Sequence, residues 1–123
     1  MAARAPVIAI LDDDPAFRRA LTRLLVAHGY DTVSFATGHA LLAATAQYRF
    51  DCITLDVDMP GLGGLEVLAK LRDAQDGPPV IVITGHDSPA DQLRAAALSV
   101  FSYQHKPVRA AALVSLVARA CGR

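Results

Sequence analysis

Five times along the chain a short apolar run is followed by a stretch whose apolar residues fall at helical spacing. Val7–Leu11 is the first run. Asp14 is placed to cap a helix with Pro15 at its first position, and Phe17, Leu21, Leu24 and Leu25 share a face until Gly29 closes the helix. Asp31–Ala36 is a second strand, followed by a helix from Thr37 or Gly38 to about Tyr48. The Asp51 stretch is a third, with Ile53, Leu55 and Val57, and a helix from Gly64 to about Ala74. Asp76-Gly77-Pro78-Pro79 breaks the chain before Val80–Ile83, the clearest β-branched run. A loop, Thr84 to Pro89, leads to an alanine-rich helix over Ala90–Leu98. A strand from Val100 to about Gln104 and a helix over Arg109–Ala120 complete the series. The runs are continuous rather than alternating, so both faces of the sheet should be covered. With right-handed crossovers, this predicts an α/β fold: a doubly wound (βα)5 parallel sheet of order 2-1-3-4-5.

The chain has 123 residues, enough for one domain, and 53% hydrophobic residues fill its core. Twelve acidic residues balance twelve basic ones, which speaks against direct nucleic-acid contact from this chain. Cys52 and Cys121 are too few for a disulfide framework and fit a reduced, cytoplasmic compartment. The apolar run near Arg4 is cut off by Asp12, Asp13 and Asp14, so it reads as neither signal peptide nor membrane span.

The chemistry is expected where the strands end. Asp56 interrupts an apolar strand, and Asp58-Met59-Pro60-Gly61 then turns the chain away. In a parallel sheet Asp12, Asp13, Asp56, Thr84 and Lys106 all reach the same carboxyl rim, where open α/β sheets form their sites. With the first strand beside the third, the acidic ends become neighbours. Three clustered carboxylates cannot all stay ionised unaided. An all-oxygen set selects a hard divalent ion such as Mg²⁺. A lysine and a hydroxyl opposite suit an anion held beside the metal. A metal, an anion and a free carboxylate together point to phosphoryl transfer onto the carboxylate.

LDDD at 11–14, LDVDMPGLGG at 55–64, VITGH at 82–86 and YQHKP at 103–107, in this order, strongly resemble the receiver domains of two-component response regulators. The likeness runs from about Val7 to Ala120. It implies a flavodoxin-like, CheY-like fold, a single receiver domain over residues 1–123 with its core at about 6–120, and no output domain in this chain. It implies that Asp56 accepts a phosphoryl group from a sensor histidine kinase or a histidine phosphotransfer protein. Asp13 would bind Mg²⁺, or Mn²⁺ in its place, together with Asp56 and the backbone carbonyl of Asp58, while Asp12 would support the ion through water or by contacts to its direct ligands. Thr84 and Lys106 would hold phosphoryl oxygens, and Tyr103 would turn inward as Thr84 moves. Asp58 and His86 occupy positions that tune phosphoryl lifetime in the family, and could pair over the site entrance. The Lys106-Pro107 bond is expected to be cis, which X-Pro bonds tolerate. The switched surface would be helix 4, strand 5 and helix 5, also the expected place of a dimer contact. A downstream protein or a C-terminal output domain would read it, and the wording of the motifs hints at LuxR-type regulators.

Each residue also has a plainer reading. Asp12, Asp13 and Asp14 suit a helix N-terminus and its dipole, Asp14 above all, Thr84 a turn-capping hydroxyl, Lys106 a solvated loop, and Tyr103 a surface aromatic. His28, His39 and His105 lack metal-ligand spacing and should be exposed. Two other functions compete: a haloacid dehalogenase-like phosphatase built on Asp56-Val57-Asp58, and a receiver-shaped adaptor that is never phosphorylated. The first expects Asp-x-Asp after the first strand and no Pro60; the second expects an acid or the lysine to be missing. Leu98-Ser99-Val100-Phe101 departs from the family pattern, with Ser99 where a helix end favours glycine, so helix 4 is expected to end differently or to be mobile.

Overall fold

The computed structural model describes residues 4–73, 77–86 and 88–122. Ala74, Asp76 and Asp87, named in the expected helix end, breaker and loop, lie outside the described residues. The elements are β1 (Val7–Leu11), α1 (Pro15–Ala27), β2 (Asp31–Phe35), α2 (Gly38–Thr45), β3 (Cys52–Leu55), α3 (Gly64–Asp73), β4 (Val80–Thr84), α4 (Pro89–Ala97), β5 (Ser102–His105) and α5 (Ala110–Ala120). All neighbouring strands pair in parallel, in the order β2-β1-β3-β4-β5.

Alternation along the central strands sends their side chains to opposite faces. Ala9, Leu11, Ile53, Leu55, Val80 and Val82 join Leu41 of α2, Val67, Leu68 and Leu71 of α3 and Ala95 of α4 in one core. Ile8, Ile10, Cys52, Ile81 and Ile83 join Leu21 and Leu25 of α1 and Leu113, Leu116 and Val117 of α5 in the other. β1, β3 and β4 are covered on both faces, as their unbroken apolar runs require. The edge strands depart from that expectation. β2 leaves Asp31, Val33 and Ser34 exposed, and β5 is only half-buried, because an edge strand has a neighbour on one side alone.

Local chemistry sets the ends of the helices. Asp14 Oδ1 accepts from the Ala16 amide at 2.9 Å with Pro15 opening α1, Thr37 Oγ1 accepts from Ala40 at 3.2 Å, and Ser88 Oγ accepts from Asp91 at 3.2 Å. α1 closes on a Schellman motif. The Gly29 and Tyr30 amides return to Val26 and Leu25 carbonyls, and Gly29 takes φ +90°. α2 stops at Thr45 rather than near Tyr48. The Gln47 and Tyr48 amides still reach the Ala44 carbonyl, but as a turn that brings the chain back to β3.

A second departure from the expected boundaries is at the end of α4. The same Schellman pattern recurs there, with Ser99 bonded to Ala96 and Val100 to Ala95, and Ser99 in the left-handed region at φ 58°. Val100 is therefore part of the helix closure, and β5 begins two residues later than the apolar run suggested. Arg72 of α3 secures the junction. Its Nε donates to the Leu98 carbonyl at 2.9 Å, Nη1 to Pro78 at 3.2 Å and Nη2 to Ser99 at 3.4 Å. A residue with a Cβ is strained at Ser99, so Ser99→Gly should raise stability by roughly 0.5–1 kcal/mol. A urea midpoint that rises without a change in slope checks this.

Candidate functional site

Parallel register assembles the site. Leu11 and Leu55 are partners, so the next residue on each strand, Asp12 and Asp56, come side by side. The Asp56 amide still donates to the Leu11 carbonyl at 3.0 Å and the Asp12 amide to Phe35 at 3.2 Å, which extends the ladder under both carboxylates. Thr84 ends β4, fully buried, and its carbonyl accepts from the Lys106 amide at 2.8 Å. The Lys106-Pro107 peptide is cis.

One carboxylate oxygen from each of Asp12, Asp13 and Asp56 lies within 4.8 Å of the others. Asp12 and Asp56 are buried, while Asp13 is exposed. Lys106 Nζ donates to Asp12 Oδ2 at 2.7 Å and to Asp56 Oδ2 at 3.4 Å. Asp12 Oδ1 accepts the Asp14 amide at 2.9 Å, Asp56 Oδ1 accepts the Asp58 amide at 3.0 Å, and Arg18 Nη1 donates to the Asp12 carbonyl at 2.6 Å. Burial pushes the Asp12 carboxyl above its ordinary value, and Asp56 adds to this. Lys106 and the Asp14 amide offset it in part. Burial alone would lower the Lys106 pKa, but its hydrogen bond to Asp12 and the charges of Asp56 and Asp12 raise it above the usual value. One lysine thus faces three converging carboxylates. That excess of negative charge, with oxygen donors throughout, fits a divalent cation.

The remaining residues read at the sequence level hold different places. Asp14 caps α1 through the Ala16 amide and is not one of the clustered carboxylates. Asp58 is exposed and meets the site through its amide. His86 is exposed, its amide bonded to Thr84 Oγ1 at 3.2 Å, and no hydrogen bond or ion pair joins it to Asp58 in this structure. Tyr103 pairs in register with Val82, packs half-buried on the core beneath α2, α3 and α4, and meets the His105 ring at 5.5 Å between centroids. His28, His39 and His105 are exposed. Sequence reasoning placed Phe17 among the core-facing residues of α1. It does pack against that core, and its ring centroid also lies 4.2 Å from Lys106 Nζ. An aromatic four residues after Asp13, on the first turn of α1, was the signal available.

A 2-1-3-4-5 sheet with clustered carboxylates and a lysine on its carboxyl rim defines a CheY-like switch domain with a site of the phosphoaspartate and metal type. Residues 8–118 match the family model of the response regulator receiver domain, and the chain belongs to that family. It is 32% identical over 110 residues to the transcriptional regulatory protein FixJ of Bradyrhizobium diazoefficiens, across 89% of this chain and 54% of that protein. It is 38% identical over 112 residues to the response regulator MprA of Mycolicibacterium vanbaalenii, across 91% and 47%. A CheY-like receiver domain protein from Methanospirillum hungatei superposes with a TM-score of 0.93 at 25% identity, over 97% of this chain and 95% of that one. Full-length FixJ from B. japonicum gives a TM-score of 0.86 at 31% identity, over 94% and 57%. The chain spans about half the length of these two curated relatives. The dehalogenase-like alternative needed its Asp-x-Asp after the first strand, whereas Asp56-Val57-Asp58 follows β3.

Proposed function

We propose that this receiver domain takes a phosphoryl group onto Asp56 from the phosphohistidine of a sensor kinase or phosphotransfer protein, with Mg²⁺ held by Asp13, Asp56 and the Asp58 carbonyl and supported by Asp12. The supporting observation is the convergence of the Asp12, Asp13 and Asp56 oxygens within 4.8 Å beside Lys106. An Asp56 oxygen forms the new P–O bond as the donor's P–N bond breaks, the electron pair staying on the imidazole nitrogen. When bound, the cation supplies charge neutralisation for the transferring group; Mn²⁺ would serve in its place. Lys106 then pairs with one phosphoryl oxygen and the Thr84 hydroxyl donates to another. Thr84 gives up its bond from the His86 amide in moving, and Tyr103 packs into the space released. Phosphorylation adds charge and acceptor oxygens at one point and biases the surface of α4, β5 and α5 between two arrangements. Asp58 and His86, both solvent-facing, govern water access to the acyl phosphate.

The partners follow from this reading. The upstream one is a histidine kinase or phosphotransfer protein. The downstream one is either a separate protein or a C-terminal output domain that reads the α4-β5-α5 face, through which two copies also pair. The likeness to FixJ, a transcriptional regulatory protein, and to MprA, a response regulator, favours control of transcription. In this proposal residues 1–123 form one receiver domain without DNA contacts of their own. Among the described residues no helix is long and apolar enough to cross a membrane, and the proposed site of action is the cytoplasm. Intact-mass measurement after treatment with acetyl phosphate and Mg²⁺ tests the reading. One added phosphoryl group is expected, lost in Asp56→Asn and lost when the metal is chelated. Equal labelling of the variant would reject it.

A further inference from the structure

Lys106 Nζ is held from three directions: by Asp12 Oδ2 at 2.7 Å, by Asp56 Oδ2 at 3.4 Å, and by the face of Phe17 at 4.2 Å from the ring centroid. The three holds differ in kind. The two carboxylates are also the groups that a divalent cation would draw on, so their grip on the ammonium weakens when the cation binds. An aromatic face attracts an ammonium through its quadrupole and offers no lone pair to a hard cation. The ring is also well anchored. Phe17 lies in the first turn of α1, whose start is fixed by the Asp14 cap. It packs half-buried against the core of the α1 and α5 face, and the next residue, Arg18, is tied to the Asp12 carbonyl at 2.6 Å.

We propose that Phe17 is a positioning residue for phosphoryl transfer: its ring seats the Lys106 ammonium beside Asp56 while a cation occupies the carboxylates. This rests on Asp56 as the acceptor and assigns the lysine's placement to a side chain of α1. The ring leaves Nζ able to turn toward a phosphoryl oxygen, whereas a carboxylate bound at 2.7 Å would retain it. An aliphatic residue of similar bulk fills the same core position without attracting the charge. Loss of one partly desolvated cation–π contact corresponds to about a fivefold change.

The test compares wild type, Phe17→Leu and Phe17→Tyr, each also in a Lys106→Met background. Phosphorylation by acetyl phosphate with Mg²⁺ is followed by intact mass. Phe17→Leu should slow it about fivefold and Phe17→Tyr should restore it. In the Lys106→Met background the residual rate should not respond to Phe17→Leu. Urea midpoints of the metal-free proteins give a second readout that involves no phosphorylation. Phe17→Leu should lower the midpoint more when Lys106 is present than when it is replaced. A wild type that takes no phosphoryl group defeats the acceptor reading, and the role in transfer falls with it. A phosphorylated wild type matched by Phe17→Leu, or equal losses in both backgrounds, overturns the Phe17 proposal alone.

Discussion

Gly64→Ala is expected to destabilise the fold by about 3 kcal/mol and to abolish efficient phosphorylation of the fraction that folds. Gly64 opens α3 directly beneath the strand end that carries Asp56. A Cβ there would collide with the Asp56 carbonyl oxygen, and would stand 2.7 Å from Val57 Cα and 2.8 Å from the Asp56 carbonyl carbon. All three atoms are backbone, so no side-chain rotation relieves the clash. Either α3 lifts from the core that Leu65, Val67 and Leu68 fill, or the chain around Asp56 shifts and its carboxylate leaves the cluster. The neighbouring Gly63 is the natural control. A Cβ there meets the Val57 carbonyl at an ordinary 3.6 Å, so Gly63→Ala should fold with little loss. Urea denaturation of both variants checks the difference.

Lys106→Met is the second large effect. It keeps an unbranched side chain one atom shorter and removes the charge, leaving Asp12 and Asp56 buried without their common partner. Breaking a buried pair costs roughly 3–5 kcal/mol; with the lysine side chain 22% exposed, about 2 kcal/mol at neutral pH is the expectation here. The pH dependence has a definite sign. Asp12 has a folded pKa above the ordinary 3.8, so its contribution to stability is fullest below that value and is lost as pH rises through the raised folded value. Removing the lysine raises the folded value further, so the variant's deficit should shrink on acidification. Mg²⁺ should shrink it at neutral pH by replacing the missing positive charge. In the wild type, Lys106 has a folded pKa above 10.5, so its contribution is complete below 10.5 and fades as pH rises through the folded value. Phosphorylation of Lys106→Met should be slowed at every pH. Denaturation midpoints across pH, with and without Mg²⁺, separate these effects.

The fold could be read from the sequence because its signals agree at several levels. Unbroken apolar runs in β1, β3 and β4 require cover on both faces, and the helices between them carry caps at Asp14, Thr37 and Ser88. The edge strands were less legible, since β2 and β5 owe their existence to pairing with one neighbour more than to their own burial. The start of β5 was misplaced because Val100 and Phe101 look like strand residues. The Schellman closure that claims Val100 depends on Ser99 adopting a conformation its side chain disfavours, supported by Arg72 from 27 residues away. The acidic cluster was legible because parallel register converts strand-end residues into neighbours. Phe17 beneath Lys106 was not, because a helical face shows which residues point inward and not what each of them meets.

The most direct test of the central claim is to locate the phosphoryl group on the chain. The protein is treated with acetyl phosphate and Mg²⁺, reduced with borohydride so that an aspartyl phosphate becomes homoserine, and sequenced by tandem mass spectrometry. Homoserine at position 56 alone, and only when Mg²⁺ is present, is the predicted result. Homoserine at 12, 13 or 58 with position 56 intact, or labelling that persists after chelation, would contradict it.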